Sequence, residues 1–148
     1  MTEDRPHSRA FGELADELVA NGLGFRFQAR GRSMLPTIQD GEILDVRPVK
    51  WTSVKVGDIV LFRDGTEFTT HRVLRRKNDL IVTRGDSGTG VGVGVRGWEI
   101  VGKITSKICA RTGETVRLEG HAARLRFVAS EIRTQISRKV RRSFFATS

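Results

Sequence analysis

From Phe25 to Leu118 the chain is cut by turn-forming pairs into short apolar or alternating runs, and this punctuation limits the fold more than any other feature. Asp40-Gly41, Gly57-Asp58, Asp64-Gly65 and Asn78-Asp79 interrupt it. Between them lie segments of strand length, too short for stable helices. Phe25, Phe27 and Ala29 alternate with Arg26, Gln28 and Arg30, the period of a half-buried strand. Ile43–Val46, closed by Pro48, and the continuous run Ile59–Phe62 predict two more strands. The Asp64-Gly65 turn leads into Phe68–Leu74, and Leu80–Thr83 pairs with that hairpin. Trp98–Ile108 and Thr115–Leu118 are predicted as further strands, around the Arg111–Glu114 turn. Trp51–Val56 carries no clear period. The expected fold is mainly β, one β-rich domain over residues 1–120.

The two ends have a different period. Phe11, Leu14, Ala15, Leu18 and Val19 predict a short amphipathic helix over 8–21, with Ser8 as N-cap and Asn21-Gly22 as its stop. Leu125, Val128, Ile132, Ile136, Val140 and Phe144 recur every three or four residues, which predicts a helix of about 24 residues within a basic segment, 121–148. The net charge of +9 gathers there: seven Lys/Arg stand against Glu131 alone. The apolar stripe either packs on the β core or docks, through residues 121–145, on an anionic membrane surface or a partner protein. With no DNA-reading motif and few aromatics, nucleic acid is disfavoured as a partner.

Other features exclude chemistries. Cys109, the single cysteine, lies in the apolar run 104–110 and is read as a small buried hydrophobe, so neither an internal disulfide nor a thiol nucleophile is expected. The five glycines of residues 88–97 include Gly88-Thr89-Gly90, but no helix pattern comes after them to bind a phosphate, and a surface loop is expected. No cofactor or metal is expected. No run approaches the roughly 18 apolar residues that span a bilayer, and the first residues lack a signal-peptide layout. The chain is expected to be soluble and cytoplasmic, at most peripheral to a membrane.

Chemistry centres on Gly31-Arg32-Ser33-Met34-Leu35-Pro36-Thr37-Ile38, a turn between two predicted strands. Gly31 permits close backbone approach beside Ser33, and Pro36 restricts Leu35 and stiffens the second half of the turn. A serine nucleophile needs a base and amide donors for the oxyanion. His7 lies near the N-terminus and His121 opens the basic segment; His71, within a strand, is the one positioned to serve. An ordinary imidazole pKa of about 6.5 suits a general base at neutral pH.

These residues resemble a known family. Gly31-Arg-Ser33-Met34-Leu-Pro36-Thr37-Ile38 with Asp40-Gly41, then Gly57-Asp58-Ile59-Val60, His71-Arg72-Val73, Thr83-Arg84-Gly85-Asp86 and Gly102-Lys103-Ile104, look like the type I signal peptidase and LexA-type self-cleaving peptidase superfamily, from about residue 22 to 108. The resemblance implies a signal-peptidase-like β-rich catalytic core, here with a short N-terminal helix and a long basic C-terminal helix. It implies Ser33 as nucleophile, His71 as general base where most bacterial members have lysine, and Asp86 as the group that orients His71. Gly31, Met34 and Pro36 would bind substrate, an extended peptide with small residues near the cut. The chain is expected to depart from signal peptidases in lacking an anchor; it has no second aspartate after Asp86 and, unlike LexA-type proteins, no Ala-Gly bond before Ser33. The expected function is a soluble serine endopeptidase cleaving a peptide or leader segment. The alternative is a catalytically inactive binding module of the same fold that docks through its basic helix.

Overall fold

The computed structural model describes residues 6–88 and 92–145. Helix α1 (Pro6–Ala20) precedes β1 (Phe25–Gln28), β2 (Ile43–Arg47), β3 (Ile59–Asp64), β4 (Glu67–Lys77), β5 (Leu80–Arg84), β6 (Val93–Arg96), β7 (Ile100–Ile108) and β8 (Thr115–Arg117), and helix α2 (His121–Phe145) closes the chain. The strands form one antiparallel sheet, order β1-β2-β7-β3-β4-β5-β6, with β8 on β7. It curls into a half-barrel. The mainly β fold with a helix at each end is therefore as expected.

The centre of the sheet explains the continuous run in β3. Ile59 and Leu61 belong to one apolar cluster with Met34, Ile38, Leu44 and Ile104, while Val60 and Phe62 belong to a second with Val54, Val73 and Ile81. A strand covered on both faces needs apolar residues at every position. Phe11 of α1 stacks edge-on against Phe25 and Phe68, with centroids 5.9 and 5.1 Å away, and so seats the helix over the first cluster.

Local structure refines the expectations at several points, and the strand expected from Trp98 starts at Ile100, after a 3-10 turn at Gly97–Glu99. Helix α1 begins at Pro6, so Ser8 lies inside it and is not its cap; a proline's fixed φ suits the first helical turn. Trp51–Ser53 is a 3-10 turn. Strand β4 runs on to Lys77, with a bulge between Val73 and Arg75 where it pairs with β5. The glycine-rich stretch is only partly a loop: Val93–Arg96 is strand β6, paired with β5 from Leu80 to Thr83, whereas Thr89, Gly90 and Val91 lie outside the described residues. Glycine weakens a strand, but the backbone ladder to β5 supplies what side chains do not. Gly92 is required there, since its φ is +86° and a Cβ would lie 2.6 Å from the Thr83 carbonyl oxygen.

Helix α2 is attached by polar and stacked contacts along one face. Arg124 packs on Gly57 and reaches Asp58, the Arg72 guanidinium lies 5.0 Å from the Phe127 ring centre, and Glu131 pairs with Arg84 at 2.6 Å. None of its described side chains is fully buried. Of the two expectations for the apolar stripe, packing on the core is not met by its described members, since Leu125, Val128, Ile132 and Ile136 are exposed. Among the described residues no helix is long and apolar enough to cross a membrane.

Candidate active site

The Ser33 turn is held from three directions. Met34 and Ile38 drop into the first cluster, so burial pins its middle. Asp40 accepts a hydrogen bond from the Gly31 amide at 2.7 Å, closing its two ends. The Lys107 ammonium on β7 donates to the Thr37 carbonyl at 2.7 Å and to the Glu42 carboxylate at 3.0 and 3.1 Å, while Glu42 also accepts from the Gln39 amide. Burial alone would raise the Glu42 pKa. The Gln39 amide and Lys107 outweigh it and hold the carboxyl below its ordinary 4.5, so Glu42 stays a carboxylate at neutral pH.

Ser33 itself is exposed, with its backbone clamped by the loop after β5. Its carbonyl accepts from the Ser87 amide at 3.1 Å and from the Ser87 hydroxyl at 2.9 Å. Gly85 is the contact point. A Cβ there would stand 2.3 Å from the Ser33 carbonyl oxygen and 3.1 Å from the Ser33 Cβ, so only glycine lets the turn seat.

That contact relates Ser33 to His71. Arg84, the residue before Gly85, pairs on β5 with Arg72, the residue after His71 on β4. Ser33 and His71 are thus brought to the same end of the β4–β5 pair. Among the described residues no hydrogen bond joins them.

The imidazole is half-buried, its ring centre 5.6 Å from that of Phe62. Nδ1 lies 3.4 Å from the hydroxyl of fully buried Thr83, which in turn donates to the Val93 carbonyl at 3.5 Å. A carbonyl can only accept. If the Thr83 proton is directed to it, the hydroxyl oxygen would accept from Nδ1–H and leave the lone pair of the neutral ring on Nε2. Burial lowers the His71 pKa below 6.5, partly offset by Asp64 and Asp86, so the neutral base is favoured.

Asp86 is positioned differently from what a Ser-His-Asp arrangement implies. Its oxygens accept two hydrogen bonds from Arg72, Nε at 2.8 Å and Nη2 at 2.6 Å, and one from the Thr37 hydroxyl at 2.5 Å. These bonds occupy the carboxylate, so it acts on the imidazole through its charge, while Thr83 makes the hydrogen bond. The buried Arg72 fork also donates to the Gly57 carbonyl at 2.9 Å, tying the Asp86 loop, the Ser33 turn and the start of β3 together.

Beside Ser33 opens a cleft of about 710 Å³, with Phe11, Phe27 and Phe68 in its wall and Glu67 and Arg30 among its polar lining. Of the residues expected to bind substrate, Gly31 and Met34 line it, and Met34 is otherwise buried in the core. Pro36 is exposed, joined to Leu35 by a cis peptide bond, and does not line the cleft. Thr83, Ser87 and Arg72 were not expected in the site from the sequence. Arg72 and Thr83 stand within the His71-Arg72-Val73 and Thr83-Arg84-Gly85-Asp86 elements, but only the pairing of β4 with β5 gives them partners.

No curated protein matches the chain. The profile of the Peptidase S24-like family matches residues 4–83, a span that includes both Ser33 and His71. That match covers more than half of the sequence, and with the fold and the anchored serine turn it places this chain in the Peptidase S24-like family.

Proposed function

We propose that the protein is a signal-peptidase-like serine endopeptidase in which Ser33 is the nucleophile and His71 the general base. The observation that carries the reading is the seat of Ser33 on bare Gly85, directly after Arg84, which pairs with Arg72, the neighbour of His71. In this reading His71 Nε2 takes the proton as Ser33 Oγ attacks a peptide carbonyl, forming the C–O bond of a tetrahedral intermediate. The protonated imidazole gives that proton to the departing amine as the C–N bond breaks, leaving an acyl-enzyme. Water, deprotonated by the same histidine, then releases the acid and restores Ser33. Thr83 holds the tautomer, and Asp86 stabilises the imidazolium through space. An extended peptide would lie beside Ser33 with an apolar side chain in the aromatic cleft, as the wall of Phe11, Phe27 and Phe68 suits.

One observation favours the second reading, a catalytically inactive binding module: in the free chain Ser33 and His71 are not hydrogen-bonded. Catalytic hydrogen bonds often close only around substrate, which weights the first reading more. Incubating the chain with a library of leader-like peptides and identifying products by mass spectrometry separates them. Cleavage that drops by roughly 10³-fold or more in Ser33→Ala supports the peptidase. No cleavage by the wild-type chain, or equal cleavage by the variant, supports the module.

A further inference from the structure

We infer that α2 is an interfacial helix that docks this protein on an anionic phospholipid surface. Leu125, Val128, Ile132 and Ile136 are 61, 38, 53 and 59% exposed, although the helix is fixed to the core beside them. At 3.6 residues per turn these four form one stripe, while the docked Arg124, Phe127 and Glu131 occupy a neighbouring face. The body therefore holds the helix without covering its apolar side. Exposed Arg126 and Arg133 flank the stripe on one side and exposed Arg138 on the other, and Lys139, Arg141 and Arg142 extend the positive run in sequence.

Charge decides the occupant. The only acidic residue from His121 to Ser148 is Glu131, and it is engaged with Arg84. A second copy pairing stripe to stripe would set arginines against arginines with no carboxylate from α2 to offset them. A nucleic acid would meet the arginines but leave the aliphatic stripe in water. A bilayer with anionic headgroups satisfies both, taking the stripe into the acyl boundary and the arginines among the phosphates.

Flotation of the full chain with phosphatidylcholine vesicles, with and without phosphatidylglycerol, tests this. The chain is expected to float only with the anionic vesicles and to be released by salt. Replacing Arg126 and Arg133 by Gln should weaken binding about fivefold per charge. Leu125→Ser with Ile132→Ser should weaken it about tenfold or more, with an unchanged near-ultraviolet dichroism spectrum showing that the body is folded. If that pair unfolds the chain, the arginine variant decides alone, because its side chains are solvent-exposed. Absent or charge-independent vesicle binding would overturn the inference, as would undiminished binding by the arginine variant or by a folded stripe variant. So would a dimer in light scattering that the stripe variant dissociates while vesicles go unbound.

Discussion

The Ser33 turn and helix α2 are both segments outside the sheet, yet the molecule holds them in opposite ways. The turn is fastened by two core side chains, a buried ion pair and the clamp of Ser87 on its carbonyl, although the serine itself stays exposed. The helix is fastened along one face by contacts that are partly exposed, and keeps its aliphatic stripe in solvent. On the proposed function, rigidity is placed where a reacting atom must be fixed within a fraction of an ångström. Freedom is left where a surface needs only to be presented.

This contrast is sharpest at Lys107. Removing it leaves Glu42 buried without its cation and frees the Thr37 carbonyl, so Lys107→Ala should lower stability by about 3–5 kcal/mol, measured by urea unfolding. An effect below about 1 kcal/mol would mean that the turn is not anchored as described. The Glu42 share of this stability is present above its ordinary pKa of 4.5 and is lost as pH falls through its lowered folded value.

At Gly85 the same rigidity predicts a functional loss. In Gly85→Ala the added methyl meets the Ser33 carbonyl, and the turn must shift. Peptide cleavage should fall by at least about 10²-fold, the scale expected for a displacement of about 1 Å. Retained activity would show that Ser33 works from another seat.

In the proposed mechanism the pH dependence comes from His71. The base must be neutral, and its pKa is lowered from 6.5, so kcat/KM should rise with pH along an acid limb centred below 6.5. The same shift affects stability. The unfolded chain binds the His71 proton more readily, so His71 contributes a loss of stability as pH falls through 6.5 towards the folded value, and none above it. A limb centred above 6.5 would contradict the burial argument.

The smallest effect is expected on the helix. Glu131→Gln removes a pair whose members are both partly exposed, and should cost no more than about 1 kcal/mol in urea unfolding. A loss like that of Lys107→Ala would erase the contrast between the two regions.

Legibility in the sequence divides in the same way, between local and long-range causes. The runs that became β1, β3 and β5 were legible because period and turn residues are local signals. The serine turn was legible as a turn because glycine, proline and serine are turn residues, while its place in a site came from the resemblance of the whole motif series. Strand β6 was hidden, since its valines alternate with glycines, which read as a loop, and its order comes from β5. The partners of His71 and Asp86 were hidden for a related reason. Whether a strand histidine meets Thr83, and whether Asp86 faces Arg72, depends on the β4–β5 register, which a bulge between Val73 and Arg75 resets. The stripe of α2 was visible as a period, but not its exposure, because a helical pattern does not say which neighbour covers it.

The central claim is that Ser33 and His71 act as one unit, and a double-mutant cycle on peptide cleavage tests it most directly. Ser33→Ala and His71→Ala should each reduce kcat/KM by roughly 10³-fold or more, and the double variant should be no slower than the worse of the two. Losses that multiply in the double variant would show two residues acting independently, and would contradict the account.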